Sequence, residues 1–345
     1  MEEVRLIKIS NKQKSDLLLK RGISGIKLSN IKDHICELGI LFLTIISALL
    51  VIFIFIFILS KAWNIFKING LGFMTEEGFD QQLAEAFNAS GNQPIWTFGA
   101  LGLLVGTLTT TLGALLISIP MGIGTAIVIT ELSPPWIRGF LQSIVRLLAS
   151  IPSIIFGLIG LMVIVPLIIS FISADLQIAY IQHFQLDGKS MLAGIIVLSI
   201  MILPIIIALS VEAINTVPKK FKEASLALGL SHWRTIVKVI LPAAKSGILA
   251  GIVLGTGRAI GEAIALSMVS GGVGNIPNVS HGSVFFLTPV LTLASAIVNK
   301  SEAMSVPSIE SALFACGVVL LITSIILSLF TKVVGLIVKR GEGIE

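Results

Sequence analysis

Charge is scarce in this sequence. Asp, Glu, Lys and Arg make up 12% of its 345 residues, against 55% hydrophobic residues, and the mean hydropathy is +1.00. A soluble domain of this length cannot hydrate its surface on so little charge, so the chain reads as a membrane protein. Cysteine is nearly absent: Cys36 and Cys316 stand alone in or beside apolar runs, which excludes a disulfide framework and a thiolate metal site. Histidine is sparse too. His34, His183, His232 and His281 fall at no ligand or triad spacing, so metal and nucleophilic catalysis find no support. A nucleotide loop is missing as well. Gly188-Lys189-Ser190 has the tail of a P-loop, but that pattern needs glycine at 183, where His183 stands. Gly255, Gly257 and Gly261 miss the dinucleotide spacing by one residue and follow no strand.

What the sequence does have is long apolar runs. Crossing ~30 Å of hydrocarbon as a helix takes about 20 residues, and runs of that order lie at 38–60, 99–130, 147–174, 190–211, 246–270 and 311–331. They predict an all-α polytopic protein with six transmembrane helices. Lys and Arg then set the orientation, because basic loops stay in the cytoplasm. Residues 1–35 carry eight of the 24 basic residues, residues 213–245 carry six more, and Lys332, Lys339 and Arg340 follow the last run. By contrast 62–98 has only Lys67 against Glu76, Glu77, Asp80 and Glu85, while 173–190 and 271–309 have one lysine each. Both termini are therefore expected in the cytoplasm. The expected layout is a basic cytoplasmic segment at 1–35 and a transmembrane domain at 36–340, with external segments at 62–98, 173–190 and 271–309 and a cytoplasmic loop at 213–245. The net charge of +5 is a topology signal rather than a nucleic-acid footprint. The run at 38–60 is longer than a signal-peptide core and no A-x-A site follows it, so it reads as an uncleaved first span.

The external segments carry local structure. TEEGFDQQLAEAFNAS, at 75–90, is a short acidic helical piece followed by the turn-rich GNQP. Pro120 in the second run, and Pro152 and Pro166 in the third, predict kinks that packed neighbours must satisfy. TPVLTLASAIV, at 288–298, is too short to span and is expected as an external or interfacial helix.

The cytoplasmic loop is punctuated like a helix. Thr216 can cap, Pro218 suits a first turn and Gly229 fits just past an end, which predicts a short helix over 218–228. Its mixed face, with Lys219, Lys220 and Lys222 beside Phe221, Leu226 and Leu228, suits either a partner protein or an anionic lipid surface. The run Glu223-Ala224-Ser225, then Gly229, then Leu241-Pro242 resembles the E-A-A loop of ABC importer permeases, with Ser225 in place of a second alanine and Val239 in place of isoleucine. That resemblance implies a coupling helix seated on a separate ATP-binding subunit. It also implies that ATP and Mg are held by the partner, with no cofactor in this chain.

The fifth run contains the chain's most conspicuous charges. GTGRAIGEAIALSMV sets Arg258 and Glu262 four residues apart among glycine and aliphatic residues. With helix entry near 244, Arg258 lies roughly 21 Å along it, at an insertion cost on the order of 3 kcal/mol. Two readings stand: a self-neutralising structural pair, or a guanidinium fork for a tetrahedral oxyanion with Glu262 holding it. Thr256, Ser150 and Ser153, with Thr107, Thr109, Thr110 and Thr111, are further candidate donors, although such hydroxyls more often bond their own helix. Gly247, Gly251 and Gly255 read as a packing ridge.

The stretch GRAIGEAIALSMVSGG further resembles the G-R-A-(I/L)-G-E-T segment of permeases in Pst-type phosphate importers, with Ala263 where threonine is usual. The long segment after the first helix and the run TELSPPWIRGFLQSIVRLLASIPSIIFGLIGL look closer to PstC than to PstA, and the likeness extends from about 40 to 338. It implies the type I ABC importer permease fold, in the cell membrane of a prokaryote. The implied partners are a PstA-like second permease, a PstB-like ATPase dimer, a PstS-like external phosphate-binding protein and membrane lipid. An importer of sulfate or molybdate, or a self-sufficient secondary transporter or channel, is the alternative from the residues alone.

Overall fold

A computed structural model of the chain describes residues 2–89, 94–181, 184–278, 280, 282 and 284–340, with side chains from 36 to 333 within those stretches. His183, His281 and most of the GNQP turn lie outside the described residues, as do the side chains of the basic segment 1–35. Two compact units are present, Met1–Phe57 and Ile58–Glu345. The first is helix α1 (Glu2–Asn69) as far as Phe57; the second holds everything below.

Among the described residues the regular structure is helical, apart from one isolated bridge between Gly271 and Val290. Six stretches are long and apolar enough to cross a bilayer: Cys36–Asn69, Leu101–Leu132, Ser153–Ser170, Met191–Asn215, His232–Ile260 and Pro307–Val333. The chain is a multi-pass membrane protein. The fourth of these, α9 (Met191–Asn215), forms the core, with Leu198, Met201, Ile202 and Ile206 fully buried. Both α4 (Leu101–Ile127) and α12 (Leu241–Ile260) pack along it. Small residues make the second contact possible: a Cβ at Gly247 would lie 2.5 Å from Ala213 Cβ, and one at Gly251 3.0 Å from Leu209 Cβ. The Gly247, Gly251, Gly255 ridge thus serves packing.

Proline acts through wider turns. Five-residue π turns at Gly160–Ile164 and Ile236–Ile240 lead into Pro166 and Pro242. A proline has no N–H and its ring crowds the carbonyl four residues back, and an extra residue in the turn relieves both. α4 runs unbroken through Pro120. The third predicted run divides instead. α5 (Pro135–Ala149) is a separate amphipathic helix, and after Ser150-Ile151-Pro152 the chain restarts as α6 (Ser153–Ile159), the π turn and α7 (Val165–Ser170).

Away from the spans lie the short helices α2 (Gly72–Thr75), α8 (Ala174–Tyr180) and α14 (Val284–Leu287), and α3 (Phe79–Asn88) folds where the acidic helical piece is expected. The piece at 288–298 packs into the bundle. Its helical part is α15 (Leu293–Asn299), and Val290, Leu291, Leu293, Ser295 and Ala296 are all fully buried against α4, α13 (Ile264–Val269) and α16 (Pro307–Arg340). It is too short to span, yet it is core rather than surface. A capping box explains its start: Thr292 Oγ1 accepts from Ser295 N while Ser295 Oγ accepts from Thr292 N.

Candidate functional site

The fifth span starts earlier than the apolar run and ends sooner. It runs from α11 (His232–Thr235) through the π turn into α12 and stops at Ile260, so Arg258 sits in the last turn rather than inside an unbroken helix. Glu262 lies beyond that end, in the break before α13. The expectation of two side chains stacked on one helix is therefore corrected: no ion pair joins Arg258 to Glu262 among the described residues. Each charge has a helix end instead. A cation in a final turn faces unpaired carbonyls, and a carboxylate at a helix start faces unpaired N–H groups. Glu262 is 8% exposed, and its Oε1 accepts from Ala265 N at 3.1 Å, at the start of α13.

Arg258 is half-buried and lines an open groove of 930 Å³. Ser246, Leu249, Ala250, Val253, Leu254 and Gly257 form one stripe of α12 along this groove, and Lys332 also lines it. The spacing of three and four residues is that of a single helix face. Arg258 therefore brings a fixed positive charge, with no ion pair among the described residues, to a largely apolar groove.

The hydroxyl candidates are mostly committed elsewhere. Thr256 is fully buried and donates to Ile252 O at 2.8 Å, Ser150 is exposed and donates to Leu147 O at 2.7 Å, and Thr110 donates to Gly106 O at 2.7 Å. Thr107 donates to Leu103 O and accepts from Leu293 N, which ties α4 to α15. Ser153 is half-buried at the first turn of α6. None of these lines the Arg258 groove.

At one end of the bundle stands α10 (Lys219–Ala227), within a residue of the expected bounds, with Gly229 at φ +81° just past its end. That left-handed conformation is costly for residues with a Cβ. Thr216 does not cap it; it closes α9, with Oγ1 donating to Ala213 O at 2.8 Å. Glu223 and Ala224 are exposed, as are Leu226 and Leu228, whereas Ser225 is buried. Leu241 and Pro242 open α12.

Ser225, where the E-A-A pattern has alanine, now has a physical account. Its hydroxyl is 2.8 Å from Lys222 O and 3.0 Å from the hydroxyl of the fully buried Thr235. One proton serves one acceptor at a time, so the Ser225 hydroxyl donates in turn to the Lys222 carbonyl and to the Thr235 hydroxyl, which accepts from it. Ser225→Ala should strand the Thr235 hydroxyl and cost about 1–3 kcal/mol, while Ser225→Ala with Thr235→Val should be close to neutral, since removing both partners leaves nothing unpaired. Thermal unfolding of the solubilised protein checks this, and equal losses in single and double variants would refute it.

Four contacts had no signal in the sequence because they join distant positions. Asp80 Oδ2 accepts from Gly274 N at 2.7 Å, and its Oδ1 lies 3.0 Å from Lys300 Nζ, which fastens α3 to the 271–278 loop and to the end of α15. Lys61 Nζ lies 2.9 Å from Glu310 Oε1. Lys222 pairs with Glu131.

Six membrane helices, a cation-bearing groove and a short exposed helix between the fourth and fifth spans fit a membrane transport permease, and the family match makes that class plain. Over residues 118–339 the chain matches the family described as the binding-protein-dependent transport system inner membrane component, and it belongs to that family. It is 35% identical over 280 residues to the probable ABC transporter permease protein YqgH of Bacillus subtilis (strain 168), covering 80% of this chain and 82% of that protein. It is 37% identical over 257 residues to the phosphate transport system permease protein PstC of Pasteurella multocida (strain Pm70), covering 72% and 78%. A chain of a bacterial alginate ABC transporter, crystallised with an alginate pentasaccharide-bound periplasmic protein, matches with a TM-score of 0.50 at 18% identity over 84% of this chain and 92% of that one. That last likeness concerns the fold alone.

Proposed function

We propose that this chain is the PstC-type permease of an ATP-driven importer of inorganic phosphate. Its termini and the α10 end face the cytoplasm, in keeping with the basic loops. A PstA-like permease completes the translocation path, a PstB-like ATPase dimer holds ATP and Mg and receives α10, and a PstS-like protein delivers the anion from outside. ATP hydrolysis belongs to those partners and not to this chain. Arg258 contacts the anion in passage; Glu262 shapes the break that ends α12 beneath it. The observation that carries the reading is Arg258 lining an open groove with no carboxylate partner among the described residues. An always-protonated fork of donors favours a tetrahedral oxyanion and repels cations. The relatives named for phosphate transport support the choice of anion.

The test is uptake into proteoliposomes holding the whole complex with its binding protein. Phosphate uptake should require ATP and the binding protein, with sulfate and molybdate excluded. Transport by this chain alone would instead make it a self-sufficient transporter.

A further inference from the structure

The position of α10 in the chain raises a mechanical question. It lies between α9, which ends at Asn215, and α11, which begins at His232, so any displacement of α10 reaches the fourth and fifth spans through the backbone. The second span has no such continuity. Its last turn, the π turn Val128–Leu132, precedes α10 by more than eighty positions, yet the two are joined by a side-chain ion pair between Lys222 and Glu131. The glutamate side chain is 10% exposed and the lysine 34%, so the pair is partly shielded from solvent and counterions, unlike a surface pair.

The neighbouring residues divide the work. Lys222 turns inward to Glu131, whereas the adjacent Glu223 is exposed and makes no ion pair among the described residues. Both line a 300 Å³ cleft with Glu131 and Arg138, and the buried Arg138 Nε has no hydrogen-bond partner among the described residues. α10 is held at a second point by Ser225 and Thr235, but that tie leads back to the fifth span. Lys222 thus supplies a direct side-chain connection from α10 to the π turn that continues α4, and α4 packs along α9 and also contacts α12, the helix bearing Arg258.

We propose that Lys222 and Glu131 are positioning residues that carry the displacement of α10 to the second span, so that three spans rather than two move when the ATPase closes. The proposal rests on the reading that α10 docks on the ATPase. Neither residue touches the anion; they set how much transport each ATP yields.

The experiment uses the reconstituted complex with its binding protein, and whichever anion the wild type imports, and reads anion imported per ATP hydrolysed. Glu131→Lys and Lys222→Glu should each lower that ratio roughly tenfold, within the usual range of coupling between sites, with the amount of assembled complex unchanged. The exchanged pair, Glu131→Lys with Lys222→Glu, and the conservative Lys222→Arg should restore it. A loss that reflected only weakened folding would move assembly and not the ratio. Unchanged ratios in the single variants, or an exchanged pair that stays uncoupled, overturns the proposal. Docking is read separately, by cross-linking Leu228→Cys, just past the end of α10, to the ATPase. A failed cross-link removes the docking reading and the proposal with it, while a successful one with no rescue removes the proposal alone. Absence of phosphate uptake by the wild type would bear on substrate identity only.

Discussion

Arg258→Gln is expected to lower phosphate uptake by the assembled complex about 100-fold, on the reckoning that two charge-assisted hydrogen bonds of ~1.5 kcal/mol each are lost. Assembly and basal ATP hydrolysis should hold. The reason lies in what Arg258 does not contact. Removing one member of a buried ion pair is destructive because it leaves the other charge stranded, but Arg258 has no carboxylate partner among the described residues and lines an open groove. Glutamine keeps the polarity and much of the length of the side chain while deleting its charge. Arg258→Lys should fall between, since lysine keeps the charge and loses the planar fork. Glu262→Gln should retain most of the uptake, because the amide oxygen can still accept from Ala265 N as the carboxylate does. Equal losses from Arg258→Gln and Glu262→Gln would restore the two residues to a single working pair. Wild-type uptake in Arg258→Gln would take the guanidinium out of the pathway.

How far the sequence reveals this arrangement depends on the range of each interaction. Run length suffices for the six spans, because a bilayer imposes a minimum length on any crossing helix, and Pro218 with Gly229 suffices for α10, because both residues act on their own backbone. The start of the fifth span is obscured by Lys238 and Lys245: charges that read as loop lie within a helix already begun at His232. Its end is obscured for the opposite reason, since AIGEAIALS keeps a helical apolar rhythm through a break. Only Gly261 hints at it, and at φ −80° that glycine is not even left-handed. The burial of 288–298 escapes a length argument altogether, because a segment too short to span can still be enclosed by helices that do. Pairings such as Asp80 with Lys300 or Glu131 with Lys222 depend on the completed fold, and no local pattern announces them. The site follows the same division: Arg258 stands out by its residue type, whereas its separation from Glu262 is set by where one helix stops.

Gly102→Ala should be among the most damaging single-methyl changes in the chain. A Cβ built at Gly102 would lie 2.1 Å from Gly274 O and 2.9 Å from Gly274 C, and one at Gly106, a turn further along α4, would lie 2.6 Å from Leu291 O. These obstacles are backbone atoms, so no rotamer change can clear them; the loop must move. It has little freedom to do so, because Gly274 N is held by Asp80 Oδ2 and Asp80 is paired with Lys300. Overpacking of this kind costs about 3 kcal/mol, or a fall in melting midpoint on the order of 5–10 °C. Gly124→Ala is the matched control on the same helix. Nothing lies within 4 Å of a Cβ there, so the exchange should be neutral or slightly stabilising, as alanine is the better helix former. Thermal unfolding of the two variants in one detergent decides the matter. If Gly102→Ala melts with the wild type, α4 and the 271–278 loop are not in the close contact that closes this end of the bundle.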